Sequence, residues 1–173
     1  MNNEERYENC NFCLRCGNRL FLTKDREDKI RPICKSCGWI FYKNPVPAAA
    51  CVILNEKNEI LIIKRKFEPK VGEWALPSGY IEIDQTPEEA AKAEMEEETG
   101  LIGEVQKFIG YYPGYSPIYE KVISFGFLMK TIGGKLQAGD DALEAEFRPF
   151  DSLPPIAFSA HRHYIELIRK ELS

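Results

Sequence analysis

Apolar residues crowd into two short runs in the first half of the chain, residues 48–54 (AAACVIL) and 60–66 (ILIIKRK). Runs of this length with almost no polar alternation predict strands buried on both faces. The NEKNE stretch between them, residues 55–59, carries turn chemistry, so the two are expected to pair as a hairpin. Residues 67–71 then read as a loop. Residues 103–112 and 121–131 predict two further strands, the second dense in aliphatic and aromatic side chains. Pro113, Gly114 and Pro117 mark residues 112–117 as the loop between them. Residues 133–134 and 138–141 are further loops, 144–150 a short strand, and 151–155 a proline-rich connection. Ser159 is placed to cap a final helix over 160–170. His161 and His163 lie two apart in its first turn, off a common face, and read as core or surface histidines rather than metal ligands.

One helix is written out more fully than the rest. Thr86-Pro87-Glu88-Glu89 supplies an N-cap, a proline at the first helical position and the acid of a capping box, and Gly100 supplies a left-handed stop. The stretch from Gly79 to Leu101 carries eight acids against one base, Lys92. Glu94, Glu97 and Glu98 stand at i, i+3 and i+4, so they share a face and repel unless something cationic sits among them. Magnesium or manganese, hard ions that take carboxylate oxygens, would suit that face, and a solvated acidic surface is the alternative.

The first quarter of the chain has a different chemistry. After a polar end, residues 1–9, expected to fray, come Cys13-Leu14-Arg15-Cys16-Gly17 and Cys34-Lys35-Ser36-Cys37-Gly38, separated by seventeen residues. Four thiolates in two CxxCG knuckles fit tetrahedral zinc in a closed, structural site. Two disulfides are the alternative, but nothing in the sequence points to an oxidising compartment. Cys10 forms a third CxxC with Cys13, without the following glycine, and Cys51 sits in an apolar strand as a small core residue. Asn44-Pro45-Val46-Pro47 marks the boundary between this ribbon, residues 10–45, and a main domain over 46–173.

Composition narrows the functional classes. With 44% hydrophobic and 29% charged residues, the 173-residue chain is globular in type. No long apolar run and no targeting motif stands out, which is the pattern of a cytoplasmic protein without a membrane partner. Residues 1–45 carry nine Lys/Arg and six Asp/Glu, but four thiolates on one divalent ion would cut that surplus to about +1. This argues against nucleic acid as a partner. Trp39, Phe41 and Tyr42 are expected to pack the ribbon or dock it on its neighbour rather than stack on bases.

The segment from Gly79 through Gln85, Ala93, Glu94, Met95, Glu97, Glu98 and Gly100 to Leu101 resembles the Nudix box, G-x5-E-x7-R-E-U-x-E-E-x-G-U, with glutamine for the first glutamate and alanine for the arginine. CGWIFYKNP (37–45), WALPSGYIE (74–82) and AFSAHRHY (157–164) extend the likeness to zinc-ribbon-bearing Nudix hydrolases of the ADP-ribose and FAD pyrophosphatase branch. The NADH-cleaving branch's SQPWPFP motif is replaced here by YYPGYSPIYE (111–120).

The resemblance implies an α+β fold, an α/β/α sandwich about a mixed sheet preceded by the ribbon. It implies metal-dependent hydrolysis of a pyrophosphate bond in a small nucleotide, with a homodimer as the default assembly. Glu94, Glu97 and Glu98 become metal ligands, and the base falls to Glu97, Glu82 or Glu144. Trp74, Ser78, Gly79, Tyr112 and Tyr115 become substrate contacts. The loss of the box arginine removes a guanidinium that orients the glutamates. A weakly catalytic nucleotide sensor, or a zinc-ribbon interaction module, are the competing readings.

Overall fold

A computed structural model describes residues 6–139 and 141–173. Part of the expected frayed end, residues 1–5, and Asp140 of the expected loop 138–141 lie outside the described residues. The chain divides into two units between Asn44 and Pro45.

In the first unit, β1 (Leu20–Lys24) and β2 (Ile30–Cys34) form an antiparallel hairpin in register Leu20↔Cys34 to Lys24↔Ile30. Asp25 closes its turn by accepting the backbone N–H groups of Glu27 and Lys29. Each knuckle turns on its glycine: Gly17 and Gly38 sit at φ 72° and 74°, and their N–H groups return to the carbonyls of Cys13 and Cys34. Cys13, Leu20 and Cys34 form a very small core, with Cys37, Trp39 and Phe41 packed against it. Tyr42 stays exposed under the Arg31 guanidinium. Tyr7 is buried, and the carbonyl of Arg6 accepts from the Lys43 ammonium.

The second unit contains β3 (Val46–Ile53), β4 (Ile60–Arg65), β5 (Trp74–Ala75), β6 (Ser78–Tyr80), α1 (Pro87–Thr99), β7 (Leu101–Ser116), β8 (Glu120–Gly134), β9 (Ala142–Arg148), a 3-10 turn at Phe150–Ser152 and α2 (Ser159–Leu172). One sheet runs β6-β3-β8-β7 and is mixed, because β3 and β8 pair in parallel while the other pairs are antiparallel. A second sheet runs β5-β4-β9.

Strand alternation sorts β3 between two cores. Ala49, Cys51 and Ile53 face α1 with Phe127 and Met129 of β8 and Ala90, Ala91 and Met95 of the helix. Ala50 and Val52 face the other way, with Ile60, Ile62 and the Ala160, Tyr164, Ile165 and Ile168 side chains of α2. Each fully buried Ile or Leu contributes about 1.5–3 kcal/mol. The layers are held closely: a β-carbon on Gly126 would meet the Tyr164 ring at 2.6 Å, and the Tyr164 hydroxyl donates to the Ser124 carbonyl.

Four local expectations are corrected, the first being residues 133–134, which are not a loop but the last two residues of β8, paired with β7 at Ile102 and Leu101. The turn at 55–59 exists, but β3 and β4 share only the Leu54↔Ile60 bridge and belong to different sheets. Residues 112–116 are strand, the turn being confined to 117–119; β7 is an edge strand, where Pro113 costs no ladder bond to a further neighbour. Ser159 is the first helical residue of α2, and Phe158 occupies the cap without a side-chain bond.

Candidate active site

The capping signals hold α1 as its sequence specifies. The Thr86 hydroxyl accepts the Glu89 N–H at 3.2 Å, and the Glu89 carboxylate accepts the Thr86 N–H at 2.8 Å. Gly100 ends the helix at φ 69°. The carbonyls that a helix end leaves over are used by the chain itself: Gly139, Gln137 and Lys135 donate to the carbonyls of Glu98, Thr99 and Gly100. Gly139 lies so close that a β-carbon would stand 1.7 Å from the Glu97 carbonyl oxygen. The segment that pins the helix end also delivers Asp141 to the acids.

Glu98 is 5% exposed, and its Oε2 accepts the Ser78 N–H at 2.7 Å. Glu94 packs against β6, where Gly79 leaves space that a side chain would fill. Glu97 is exposed beside them. Burial raises the Glu94 carboxyl to about 7, with Glu97 and Asp141 adding to the effect. Burial raises Glu98 to about 8; the Ser78 amide pulls it down, Glu94 pushes it up, Arg65 opposes and Asp141 adds. Like-charged carboxylates, one buried and one half-buried, favour a bound cation, and their hard oxygens fit a magnesium-type ion. Among the described residues no three of the acids gather within 4.8 Å, so the patch is spread out. An ion that retains several waters suits such a patch.

The other residues expected at the site are dispersed. Glu82 is exposed, and its N–H bonds the Gln85 side-chain oxygen at 3.1 Å, so Gln85 closes the turn that leads into α1. Glu144 pairs with Lys64 across β4 and β9 at 2.8 Å, and the same ammonium lies 5.7 Å from the Trp74 ring centre. Trp74 also packs on the α2-side core. Tyr112 joins that same core and stacks on His163 at 4.9 Å, whereas Tyr115 is exposed near the β7–β8 turn.

Three contributors were not evident from the sequence. Arg65, at the end of β4, donates to the carbonyls of Pro69 and Phe67, lies 5.2 Å from the Phe158 ring centre, and acts on Glu98. Asp141 stands where residue pattern showed only a loop. His161 is 4% exposed and accepts the Leu76 N–H on Nδ1 at 3.1 Å. Burial, with Arg65 and Arg162 nearby, lowers it to about 3. The core reading thus holds for His161, and the surface reading for His163.

In the ribbon, the Sγ atoms of Cys13, Cys16, Cys34 and Cys37 all lie within 4.8 Å of one another, three of the pairs at 3.5–3.6 Å. Zinc–sulfur bonds of about 2.3 Å in a tetrahedron demand sulfur separations close to these. The Asn18 amide reaches Cys16 Sγ and lowers that thiol, while the neighbouring sulfurs raise Cys37, so the four share protons that a zinc ion would displace. The donor set fits zinc.

The NUDIX domain family matches residues 44–168, well over half of the chain. The chain belongs to the Nudix family. The Nudix N-terminal zinc-ribbon family matches residues 11–43, ahead of it. An ADP-ribose pyrophosphatase of Methanocaldococcus jannaschii is 48% identical over 108 residues, 61% of this Nudix chain and 63% of the relative. The NAD-capped RNA hydrolase NudC of Haemophilus influenzae is 27% identical over 158 residues, 87% of this chain and 57% of that one. The chain therefore spans under two thirds of the length of these curated relatives. A Nudix hydrolase crystal structure from Nitrosomonas europaea superposes with a TM-score of 0.77 at 27% identity, covering 94% of this chain and 93% of that one. Among the described residues no helix is long and apolar enough to cross a membrane.

Proposed function

We propose that this Nudix chain hydrolyses the pyrophosphate bond of a nucleoside diphosphate linked to another group, with ADP-ribose as the leading substrate, FAD as the next, and AMP as a product. The observation that carries the reading is the pair of half-buried Glu94 and buried Glu98, held against Gly79 and the Ser78 amide. The substrate class rests on the likeness to the ADP-ribose pyrophosphatase. Glu94 and Glu98 hold the cation, and the Ser78 N–H keeps one Glu98 oxygen occupied so that the other is aimed. Magnesium or manganese bound there supplies charge to the phosphate oxygens and lowers the pKa of an attacking water. Glu97, exposed and one turn from Glu94, would serve as the general base. Glu82, on the turn before α1, and Glu144, paired with Lys64, are the alternative bases, and of the aromatics expected at the site Tyr115 is the one left exposed to stack on a base.

The ribbon over 10–45 binds zinc as a structural ion, and residues 46–173 form the catalytic domain. Unoxidised zinc thiolates suit a cytoplasmic setting, and a homodimer is the default assembly that the family resemblance suggests.

The test is a nucleotide panel, namely ADP-ribose, FAD, NADH, diadenosine polyphosphates and sugar nucleotides, with each metal and with Glu98→Gln beside the wild type. AMP release that depends on metal and collapses in the variant supports the reading. Unchanged turnover in the variant removes the ligand assignment. Tight ADP-ribose binding without turnover favours the sensor reading, for which Gln85 and Ala93 are the motive.

A further inference from the structure

Between α2 and the acidic face of α1 runs a short, fully bracketed piece of backbone. Its first residue, Trp74, accepts the Ala157 N–H at 2.8 Å and bridges to Ile156 in parallel. Next, Leu76, 0% exposed, donates its N–H to Nδ1 of His161 at 3.1 Å. Pro77 follows, its carbonyl accepting the Cys51 N–H from β3. Last comes Ser78, paired with Ala50 and donating to Glu98 at 2.7 Å. One residue, Pro77, separates the amide held by the histidine from the amide that holds the glutamate.

We infer that His161 is a positioning residue of the acidic site, fixing the height of the Leu76–Ser78 backbone and through it the direction of the Glu98 carboxylate. The inference rests on the reading of Glu98 as part of the reactive centre.

The chemistry is specific. Nδ1 accepts, so the ring is neutral with its proton on Nε2. Pro77 has no N–H, so between Leu76 and Ser78 no further donor ties the strand down. Leu76 itself is buried away from water, and its amide has the imidazole as its partner. Phe158 meets the same ring edge-on at 5.0 Å while carrying Arg65 on its own ring, so the imidazole is fixed in orientation as well as in place. A closed circuit results: Glu98 feels Arg65, Arg65 lies on Phe158, Phe158 packs on His161, His161 holds Leu76, and Ser78 returns to Glu98.

A histidine that only filled the core would be replaceable by any side chain of its size that left the protein folded. A positioning histidine needs its acceptor at the Nδ1 position. Asparagine offers a carbonyl oxygen there, whereas glutamine carries it one bond too far. The experiment compares wild type, His161→Asn and His161→Gln by kcat and KM on ADP-ribose, by thermal midpoint, and by the amide proton shift of Ser78 in metal-free protein. For His161→Gln the expected result is a kcat fall on the order of tenfold to a hundredfold with KM within about threefold, as for a reacting group misplaced by about 1 Å. The Ser78 amide shift moves with it, and His161→Asn restores both. A His161→Gln variant with wild-type kcat and an unmoved Ser78 amide overturns the inference, and so does loss of kcat with that amide unmoved. Should the wild type cleave no nucleotide, the Ser78 shift in the two variants still decides the positioning role, separately from the enzymatic reading.

Discussion

A β-carbon on Gly79 would stand 1.8 Å from Oε1 of Glu94. The obstructing atom is the end of a flexible side chain, so Gly79→Ala is relieved by moving the carboxylate rather than the backbone. We expect stability to change by less than about 1 kcal/mol and turnover to fall on the order of a hundredfold. Gly139→Ala provides the contrast, because its β-carbon would meet the Glu97 backbone carbonyl at 1.7 Å and the helix end itself must shift. That variant is expected to lose stability as well as activity. Thermal melts beside ADP-ribose assays separate the two, and a Gly79→Ala protein with full turnover would refute the close-packed site.

The carboxyl shifts give the metal-free protein a definite pH response. Folding raises Glu94 and Glu98 from an ordinary 4.5 to about 7 and about 8. The stability they contribute is present below pH 4.5 and is lost as pH rises through their folded values. His161 works in the opposite direction. Lowered from 6.5 to about 3, it contributes stability above pH 6.5 that is lost as pH falls toward 3. Metal-free protein should therefore melt higher at pH 6.5 than at pH 8.5, and saturating magnesium should abolish that difference. Magnesium added near pH 7 should also release protons, measurable by titration in two buffers of different ionisation enthalpy.

Removing zinc should affect one unit. The ribbon core is three buried residues with three partners, far too little to fold without cross-links. A strong chelator is expected to unfold the β1–β2 hairpin while the β3–β9 unit keeps its melting transition. Hydrogen exchange resolved by segment would show it, and protection persisting over residues 13–37 after chelation would contradict it.

Ala93 leaves α1 without the box arginine, but the charge of Arg65, at the end of β4, acts on Glu98. Restoring Ala93→Arg together with Gln85→Glu is accordingly expected to raise kcat by less than about tenfold. Arg65→Leu is expected to lower it by more than that, on the scale of a misplaced reacting group. A large gain from the double restoration would mean the box had been silenced.

What could be read from the chain was what is local. Thr86, Pro87, Glu89 and Gly100 define α1 among themselves, and Cys-x-x-Cys-Gly defines each knuckle within five residues. The mistakes share a physical origin. The Asn55–Glu59 turn does form, with Asn58 at φ 59°, yet a turn does not choose the partner of the strand it ends, and β3 is claimed by β8. Pro113 and Gly114 look like loop residues, but the edge position of β7 tolerates them. Arg65, Asp141 and His161 could not be placed, because their contribution lies in contacts with residues distant in sequence.

The parallel pairing of β3 with β8 also sets an order of events during synthesis. Val46 pairs with Val122, and Ile53 with Met129, so β3, flanked early by β6, waits for most of the chain before its parallel neighbour is made. Parallel, non-local pairing is slow to form. The thirteen residues of α1 are finished well before that, and a helix of this length is marginal by itself. Ala90, Ala91 and Met95 then have β3 but no Phe127 or Met129 to lie on. The ribbon's four sulfurs, by contrast, have all been made once Cys37 is added. The nascent chain should thus emerge with its zinc knot already tied, while its acidic helix stays unmoored and exposed to chaperones until β8 has left the ribosome.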